Sequence, residues 1–316
     1  MTASRQTNGK TTVDLITGFL GAGKTTFIML YAKWLEAQGV SIAVIENEFG
    51  TAGCDGAMLK DIGLAVSELS GGCICCSLKV DFAHALVELS GKVDRIIVEP
   101  SGIFSPADFF EVMNSPSVRE VCEVGCVVAV ADPFGFGEMS TDAAAVLAAQ
   151  IESAGVVLVS KTDTGSDFLI DGTVAHIQAL LGENAAENRI LTKSWNTLTD
   201  KDYTLITESR SGHLKRSSIS VDHAAMFNSG TVLLKRTYTV TDLRRKLETV
   251  LADDACGEIL RIKGNVLSAD GGLLWVNCTA SGITIEPIRE GIIGLNIIGK
   301  RIVRKRIRTI LEELIL

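Results

Sequence analysis

The residues with the most chemistry in them are Gly18-Phe-Leu-Gly21-Ala22-Gly23-Lys24-Thr25-Thr26, set between a short apolar run from Val13 and a stretch of helical periodicity to Leu35. Glycine, four residues, then Gly-Lys-Thr is the phosphate-binding loop pattern. The glycines let backbone N–H groups turn inward around phosphate oxygens, and the following helix N-terminus adds partial positive charge. Lys24 can reach the outer phosphates and the Thr25 hydroxyl can sit on magnesium. Gly21 to Thr26 are therefore the expected triphosphate cradle. Ser160-Lys161-Thr162-Asp163 follows a second apolar strand. An aspartate there can accept hydrogen bonds from the N1–H and 2-amino group of guanine, a paired donor set that adenine lacks. The lysine stem can lie along the ring. A lone Lys-x-Asp is common on surfaces, so its place after an apolar strand and downstream of a P-loop carries the reading.

Two further clusters extend the chemistry. Glu99-Pro-Ser-Gly102 ends another strand, where Glu99 can hold magnesium through water and the Gly102 N–H can sense a γ-phosphate. Loss of that phosphate would release the loop, the logic of a nucleotide switch; the plainer alternative is an acidic residue at an ordinary strand end. In Gly71-Gly72-Cys73-Ile74-Cys75-Cys76 the thiolates of Cys73 and Cys75, two apart on extended backbone, point to one side, and Cys76 to the other. Thiolates bind zinc or cobalt strongly, but a pair is not a complete tetrahedral site. Glu46, Glu48 and Cys54 are the candidates to complete it, and an incomplete site suits exchange of metal better than permanent structure. Small buried cysteines packing as apolar residues are the competing explanation. Cys122, Cys126, Cys256 and Cys278 are read that way.

Bulk properties narrow the class. At 316 residues the chain exceeds one typical domain, and 47% apolar with 5% aromatic residues suits buried parallel strands. A polar start and the lack of a long apolar run predict a soluble, intracellular, cytoplasmic protein. Net charge of −8 argues against non-specific nucleic-acid binding. The charge is uneven, however. Residues 231–316 carry 14 Lys+Arg against 10 Asp+Glu, and the rest 16 against 28, which favours a domain boundary near residue 230. Eight cysteines, three of them within four residues, read in a reducing compartment as metal or redox chemistry before disulfides.

Short strands are expected at 40–46, 95–99, 124–131 and 155–160. They alternate with helices at 26–35, 80–89, 143–153 and 174–181, and Ser105-Pro106 opens another. This pattern predicts an α/β, doubly wound, mostly parallel sheet whose ligands sit at the carboxyl ends of strands. Residues 194–230 are polar and weakly patterned, a linker with local structure. Beyond it, strands at 231–239, 258–263, 273–278, 283–287 and 292–298, with helices at 241–251 and 300–314, form a smaller α+β C-terminal domain. The expected domains are thus 12–193, 194–230 and 231–316. Basic residues from Lys300 to Arg308 spread around the last helix, most simply as a solvated face.

Gly18 to Thr26, Glu46-Asn-Glu-Phe-Gly50, Gly71 to Cys76 and Glu99-x-x-Gly102 occur in the order typical of the CobW-like GTPases, which this chain resembles over its whole N-terminal domain. Leu260-Arg-Ile-Lys-Gly264 and Ile297-Ile-Gly-Lys300 are similar to the family's C-terminal domain. The resemblance implies a P-loop GTPase acting as a metallochaperone or cobalamin-related accessory protein, related to the GTPases that mature hydrogenase and urease. It also implies GTP and Mg2+ as ligands, and a switch coupling nucleotide state to a transferable Zn2+ or Co2+ at Cys73, Cys75 and Cys76, with Glu46 and Cys54. There are departures. Ser160 stands where the family has asparagine, and Thr51 where many relatives carry a glutamate. With four histidines in all, a histidine-rich metal store is not expected.

Hydrolysis would rest on Lys24, on magnesium at Thr25 and Glu99, and on a water positioned by Asp55 or Glu99. Expected partners are a client metalloprotein or corrinoid-dependent protein and a nucleotide-dependent homodimer, with no nucleic acid and no membrane. A P-loop kinase or synthase, or a GTP-controlled partner switch with structural cysteines, would share the first motif but not a metal affinity that depends on nucleotide.

Overall fold

The computed structural model describes residues 9–46, 65–68, 77–135, 139–182, 189–210, 227–279, 282–289 and 291–312. They fall in two compact units, 9–210 and 227–312. In the first, β1 (Thr11–Gly18), β2 (Ile42–Glu46), β3 (Ala65–Glu68), β4 (Arg95–Glu99), β5 (Cys122–Ala131), β6 (Val156–Val159) and β7 (Ile190–Leu191) form one sheet in the order β3-β2-β4-β1-β5-β6-β7. Every pairing in it is parallel. The central strands are apolar on both faces because both faces are covered. Val13, Leu15, Val127, Ala129, Val157 and Val159 face one core; Ile16, Cys126, Val128, Val130, Val156 and Leu158 face the other.

The two cores have different helical cover. The first takes α2 (Ser77–Leu89), α3 (Pro106–Met113), α4 (Pro116–Val121), α5 (Thr141–Ser153) and α6 (Asp167–Leu181). The second takes α1 (Lys24–Ala37) and α7 (Asp200–Glu208). Helix α7 lies in the segment whose polarity reads as a linker. One helix is too narrow to cover Val128, Val130, Val156 and Leu158 as well as β1, β2 and β4, so Tyr203 and Ile206 of α7 complete that face. The short α4 and β3 carry too few periodic residues to be seen in sequence.

A buried polar group pins α1 to the sheet. Between Val13 and Leu15 the β1–β5 register shifts, because β5 carries one residue more than β1 there. Asp14 fills the gap in the ladder. Its Oδ1 accepts the Cys126 N–H at 2.9 Å, and its Oδ2 accepts the Tyr31 hydroxyl at 3.0 Å and lies 3.4 Å from Arg95. Arg95 also donates to the Tyr31 oxygen at 2.8 Å. Burial raises the Asp14 carboxyl above its ordinary range, against the opposing pull of Arg95 and of the Cys126 and Tyr31 hydrogen bonds.

The second unit is an antiparallel sheet, β12-β11-β10-β13-β8, comprising β8 (Asn228–Val232), β10 (Glu258–Ser268), β11 (Leu273–Thr279), β12 (Gly282–Ile288) and β13 (Gly294–Lys300). α8 (Val240–Ala252) and α9 (Arg304–Glu312) pack on one core with it. The expected strand at 231–239 is two. β13 pairs β10 only as far as Asn265, so β9 (Thr237–Tyr238) pairs with Leu267 and Ser268 while β8 pairs the far edge of β13. No single strand could do both. Helix α9 begins later than expected because β13 runs to Lys300 and Arg301 takes a left-handed φ of 50°. Cys122, Cys126, Cys256 and Cys278 are all buried, as packing residues should be.

Asp202 illustrates how α7 is held. Its Oδ2 accepts the Thr199 N–H and hydroxyl at 2.8 and 2.7 Å, and its Oδ1 accepts Lys193 at 2.7 Å. The Lys193 and Thr199 hydrogen bonds hold its pKa at about 2. The stabilisation is therefore present above the ordinary carboxylate range and is lost as pH falls toward 2. Asp202→Asn is expected to cost about 1 kcal/mol at pH 7, a typical cap contribution, with the gap to the parent closing between pH 4 and 2. Urea unfolding at both ends of that range measures it, and a gap independent of pH would remove the carboxylate from this role.

Candidate nucleotide site

The carboxyl ends of the strands carry the motifs. β1 ends at Gly18, whose φ is 143° and whose missing Cβ would lie 2.4 Å from the Val130 carbonyl oxygen. No side chain fits there. Gly21 and Gly23 take left-handed φ of 77° and 99°, and α1 starts at Lys24. The Lys24 ammonium folds back across the loop, donating to the carbonyls of Gly18 at 3.0 Å and Phe19 at 3.4 Å. One residue on, the Thr25 hydroxyl donates to Glu99 Oε1 at 2.8 Å. That contact exists because β4 is the direct neighbour of β1.

The loop after β4 is pressed against the P-loop. A Cβ on Gly102 would lie 2.4 Å from the Leu20 backbone nitrogen, so the two backbones touch. Gln150 of α5, fully buried, donates to the carbonyls of Gly102 at 3.1 Å and Phe104 at 3.2 Å. On the far side of Glu99 stands Glu46, 4% exposed and in register with it across β2 and β4. Lys79 in the first turn of α2 meets Asp108 and Glu111 of α3, each at 2.7 Å. Burial pulls the Lys79 ammonium down, and the hydrogen bonds to Asp108 and Glu111 outweigh it, so it titrates above its ordinary value.

At the other end lies a pocket of about 230 Å³ lined by Ala22, Gly23, Thr26, Leu30, Ser160 to Asp163 and Ser194 to Asn196. Ser160 is buried and its hydroxyl donates to the Ala131 carbonyl at 3.3 Å, tying β6 to β5. Lys161 takes a left-handed φ of 54° and pairs with Asp132 at 2.5 Å. Asp163 is exposed at the pocket edge. The structure thus gathers Glu99 and Gly102 against the loop from Gly21 to Thr26 at one end, and Ser160, Lys161 and Asp163 at the other, round a pocket that Ala22, Gly23 and Thr26 also line. Cys54, Asp55, Cys73, Cys75 and Cys76 lie outside the described residues, among which no three metal-binding side chains cluster.

Several buried polar atoms test the fit of a nucleotide. Thr17 Oγ1, Ser101 Oγ, Thr162 Oγ1 and Trp195 Nε1 have no hydrogen-bond partner among the described residues. Each such group costs roughly 1–3 kcal/mol, yet all four lie on the loops or strand ends around the P-loop. A ligand rich in acceptors and donors, such as a nucleotide with its magnesium, satisfies atoms of this kind.

The family model described as CobW/HypB/UreG, nucleotide-binding domain, matches residues 12–186. This chain belongs to the CobW/HypB/UreG family. Within the family it is similar to a protein named zinc chaperone CobW from Pseudomonas aeruginosa, with 37% identity over 139 residues. The match covers 40% of this chain and 36% of that protein, so the chain spans little over a third of that relative's length. The zinc chaperone YjiA of Escherichia coli is 27% identical over 296 residues, 88% of this chain and 86% of that one. A solved structure of Zn(II)-bound YjiA GTPase from E. coli aligns over 96% of this chain and 98% of its own, at 22% identity and a TM-score of 0.42.

Sequence reasoning missed Asp132, Ser194, Trp195 and Asn196. One signal was available: a large aromatic residue isolated in an otherwise polar stretch. A steric prediction follows from the loop contact. Gly102→Ala should cost about 1–3 kcal/mol, the usual penalty of overpacking, and lower the urea midpoint with an unchanged slope. A midpoint equal to the parent's would show that the two loops part without cost.

Proposed function

We propose that this protein is a GTP-binding and GTP-hydrolysing metallochaperone that couples nucleotide state to a transferable divalent metal. The observation that carries the reading is the Thr25–Glu99 contact at 2.8 Å, which joins the P-loop to the loop ending in Gly102. A hydroxyl and a carboxylate side by side at a P-loop are the donor set of a magnesium site. Bound magnesium would neutralise the charge that develops on the transferred phosphate. Gly21, Ala22, Gly23 and Thr26 supply backbone N–H groups to the phosphates, and Lys24 exchanges its loop carbonyls for their outer oxygens. The Gly102 N–H is the γ-phosphate sensor. Asp55 or Glu99 positions the attacking water.

Guanine is the base this reading assigns. Asp163 accepts from its N1–H and 2-amino group, and Lys161, held by Asp132, lays its stem along the ring. Ser160 stands where the family has asparagine, and its hydroxyl, donating to Ala131, ties the end of β6 to β5. Asp163→Asn should weaken GTP binding and relax discrimination against xanthosine nucleotide. Calorimetry with both nucleotides checks this, and unchanged base preference removes Asp163 from the role.

The cargo is a divalent metal at Cys73, Cys75 and Cys76, with Cys54 and Glu46 as further ligands. The names of the relatives favour zinc over cobalt, and the recipient is a metal- or corrinoid-dependent client. The closeness of Glu46 to Glu99 supports coupling, as does the Lys79 clamp. That clamp ties the helix following Cys76 to the helix following Gly102. Couplings of this kind are about 1–3 kcal/mol, or roughly 5–150-fold in affinity, and linkage makes the effect reciprocal. Zinc affinity measured with a non-hydrolysable GTP analogue and with GDP should differ within that range. Lys79→Met should shrink the difference, and Cys75→Ala should abolish tight binding. Equal affinities in the two nucleotide states would leave a GTPase without the metal coupling.

A further inference from the structure

Trp195 lines the pocket beside the P-loop, and its indole N–H has no hydrogen-bond partner among the described residues. Its ring packs edge-on against Phe27 of α1, with centroids 5.7 Å apart at 62°. Its benzo edge faces Gly23: Cη2 and Cζ3 lie 3.0 and 3.3 Å from where a Cβ on that glycine would be. The pyrrole N–H, on the other side of the ring, is buried with no partner among the described residues. Trp34 makes the contrast. Its ring also packs in the aromatic group on α1, but its N–H donates to Asp200 at 3.0 Å.

A second buried atom belongs to the same pocket wall. Thr162 stands between Lys161 and Asp163 in the pocket wall, and its hydroxyl too is buried with no partner among the described residues. Two unsatisfied polar groups in the lining of one pocket are costly unless a ligand meets them. An indole offers an apolar face and one donor; a hydroxyl offers a donor and acceptors. That combination suits a purine nucleoside, which has aromatic faces and a rim of ring nitrogens, carbonyl and ribose hydroxyls. It suits a phosphate poorly, because Lys161, the cation next to Thr162, is engaged by Asp132, and Lys24 is held within the P-loop.

Resting on the guanine-nucleotide reading above, we propose that Trp195 is the nucleoside-contacting wall of this pocket, and that its N–H and the Thr162 hydroxyl hydrogen-bond the bound nucleoside. Trp195 is then a specificity-determining residue that no phosphate-loop or Lys-x-Asp motif contains. Its contact with Gly23 places the nucleoside wall directly against the turn that positions Lys24.

The test uses the full chain with Trp34→Phe and Trp275→Phe, which leaves Trp195 as the sole tryptophan. With magnesium present, GDP should change Trp195 emission saturably, with the same midpoint as the heat of binding. Tripolyphosphate, which offers phosphates without a nucleoside, should bind and leave the emission unchanged. Trp195→Phe keeps a ring against Phe27 but removes the N–H, and should weaken GDP binding about 2–10-fold, the worth of one hydrogen bond. Its affinity for tripolyphosphate should stay the same. The assignment is overturned if GDP binds by heat with no change in emission, if tripolyphosphate changes the emission equally, or if Trp195→Phe binds GDP as the parent does. Absence of any GDP heat would instead overturn the nucleotide reading on which the assignment stands. The emission arm needs no substitution at Trp195, so it decides even if Trp195→Phe does not fold.

Discussion

Two contacts in which backbone meets backbone with no side chain between them set the terms for the rest of the first unit. Gly18 must pass the Val130 carbonyl and Gly102 must pass Leu20, each at a distance that excludes a Cβ. These approaches are possible only where β1 lies between β4 and β5. From β1 the chain moves through α1 on one face toward β2, and from β5 through α5 on the other face toward β6. Right-handed crossovers that move in opposite directions lie on opposite faces. A crevice opens where they diverge, at the carboxyl ends of the strands. Thr25, Glu99 and Gly102 are gathered there by topology before any of them does chemistry.

Much of this was legible in the sequence because local and global signals agreed. The P-loop glycines need left-handed backbone, and so mark a strand–turn–helix whatever surrounds them. β4, at Arg95–Glu99, has the expected limits because an apolar run bounded by Asp94 and Pro100 leaves no other choice. Strand β5, although shifted in register against β1, shows as an unbroken apolar run for the same reason: both of its faces are buried. Ser160 to Asp163 could be placed at a strand end without knowing which strands were neighbours.

The base end of the crevice was less legible. Asp132 carries no motif of its own, and it meets Lys161 only because β5 and β6 are adjacent. Ser194 to Asn196 and α7 belong to a polar stretch whose periodicity is weak, since α7 buries only Tyr203 and Ile206 hydrophobically. Their place is set by long-range packing on α1, which a single sequence does not display. Trp195 and Tyr203 were visible as residues but not as neighbours of Phe27, Tyr31 and Trp34.

Asp14 has a consequence for how the sheet could fail. Where β5 carries its extra residue, the Asp14 carboxylate takes the Cys126 N–H that would otherwise be left over, and Gly125 leaves room for it, since a Cβ there would lie 2.2 Å from Oδ1. The carboxylate is therefore a gauge of alignment. An ion pair this deeply buried is weak evidence for stability, but such groups are known to fix registry. Without it, nothing local distinguishes the native pairing of β5 from one slipped by a residue, and a slip of one exchanges its two faces. Ala129 and Ala131 would then point where Val128 and Val130 belong. Asp132 would be carried out of line with Lys161, so a proofreading contact at the amino ends of the strands would be felt at their carboxyl ends as a misplaced lysine.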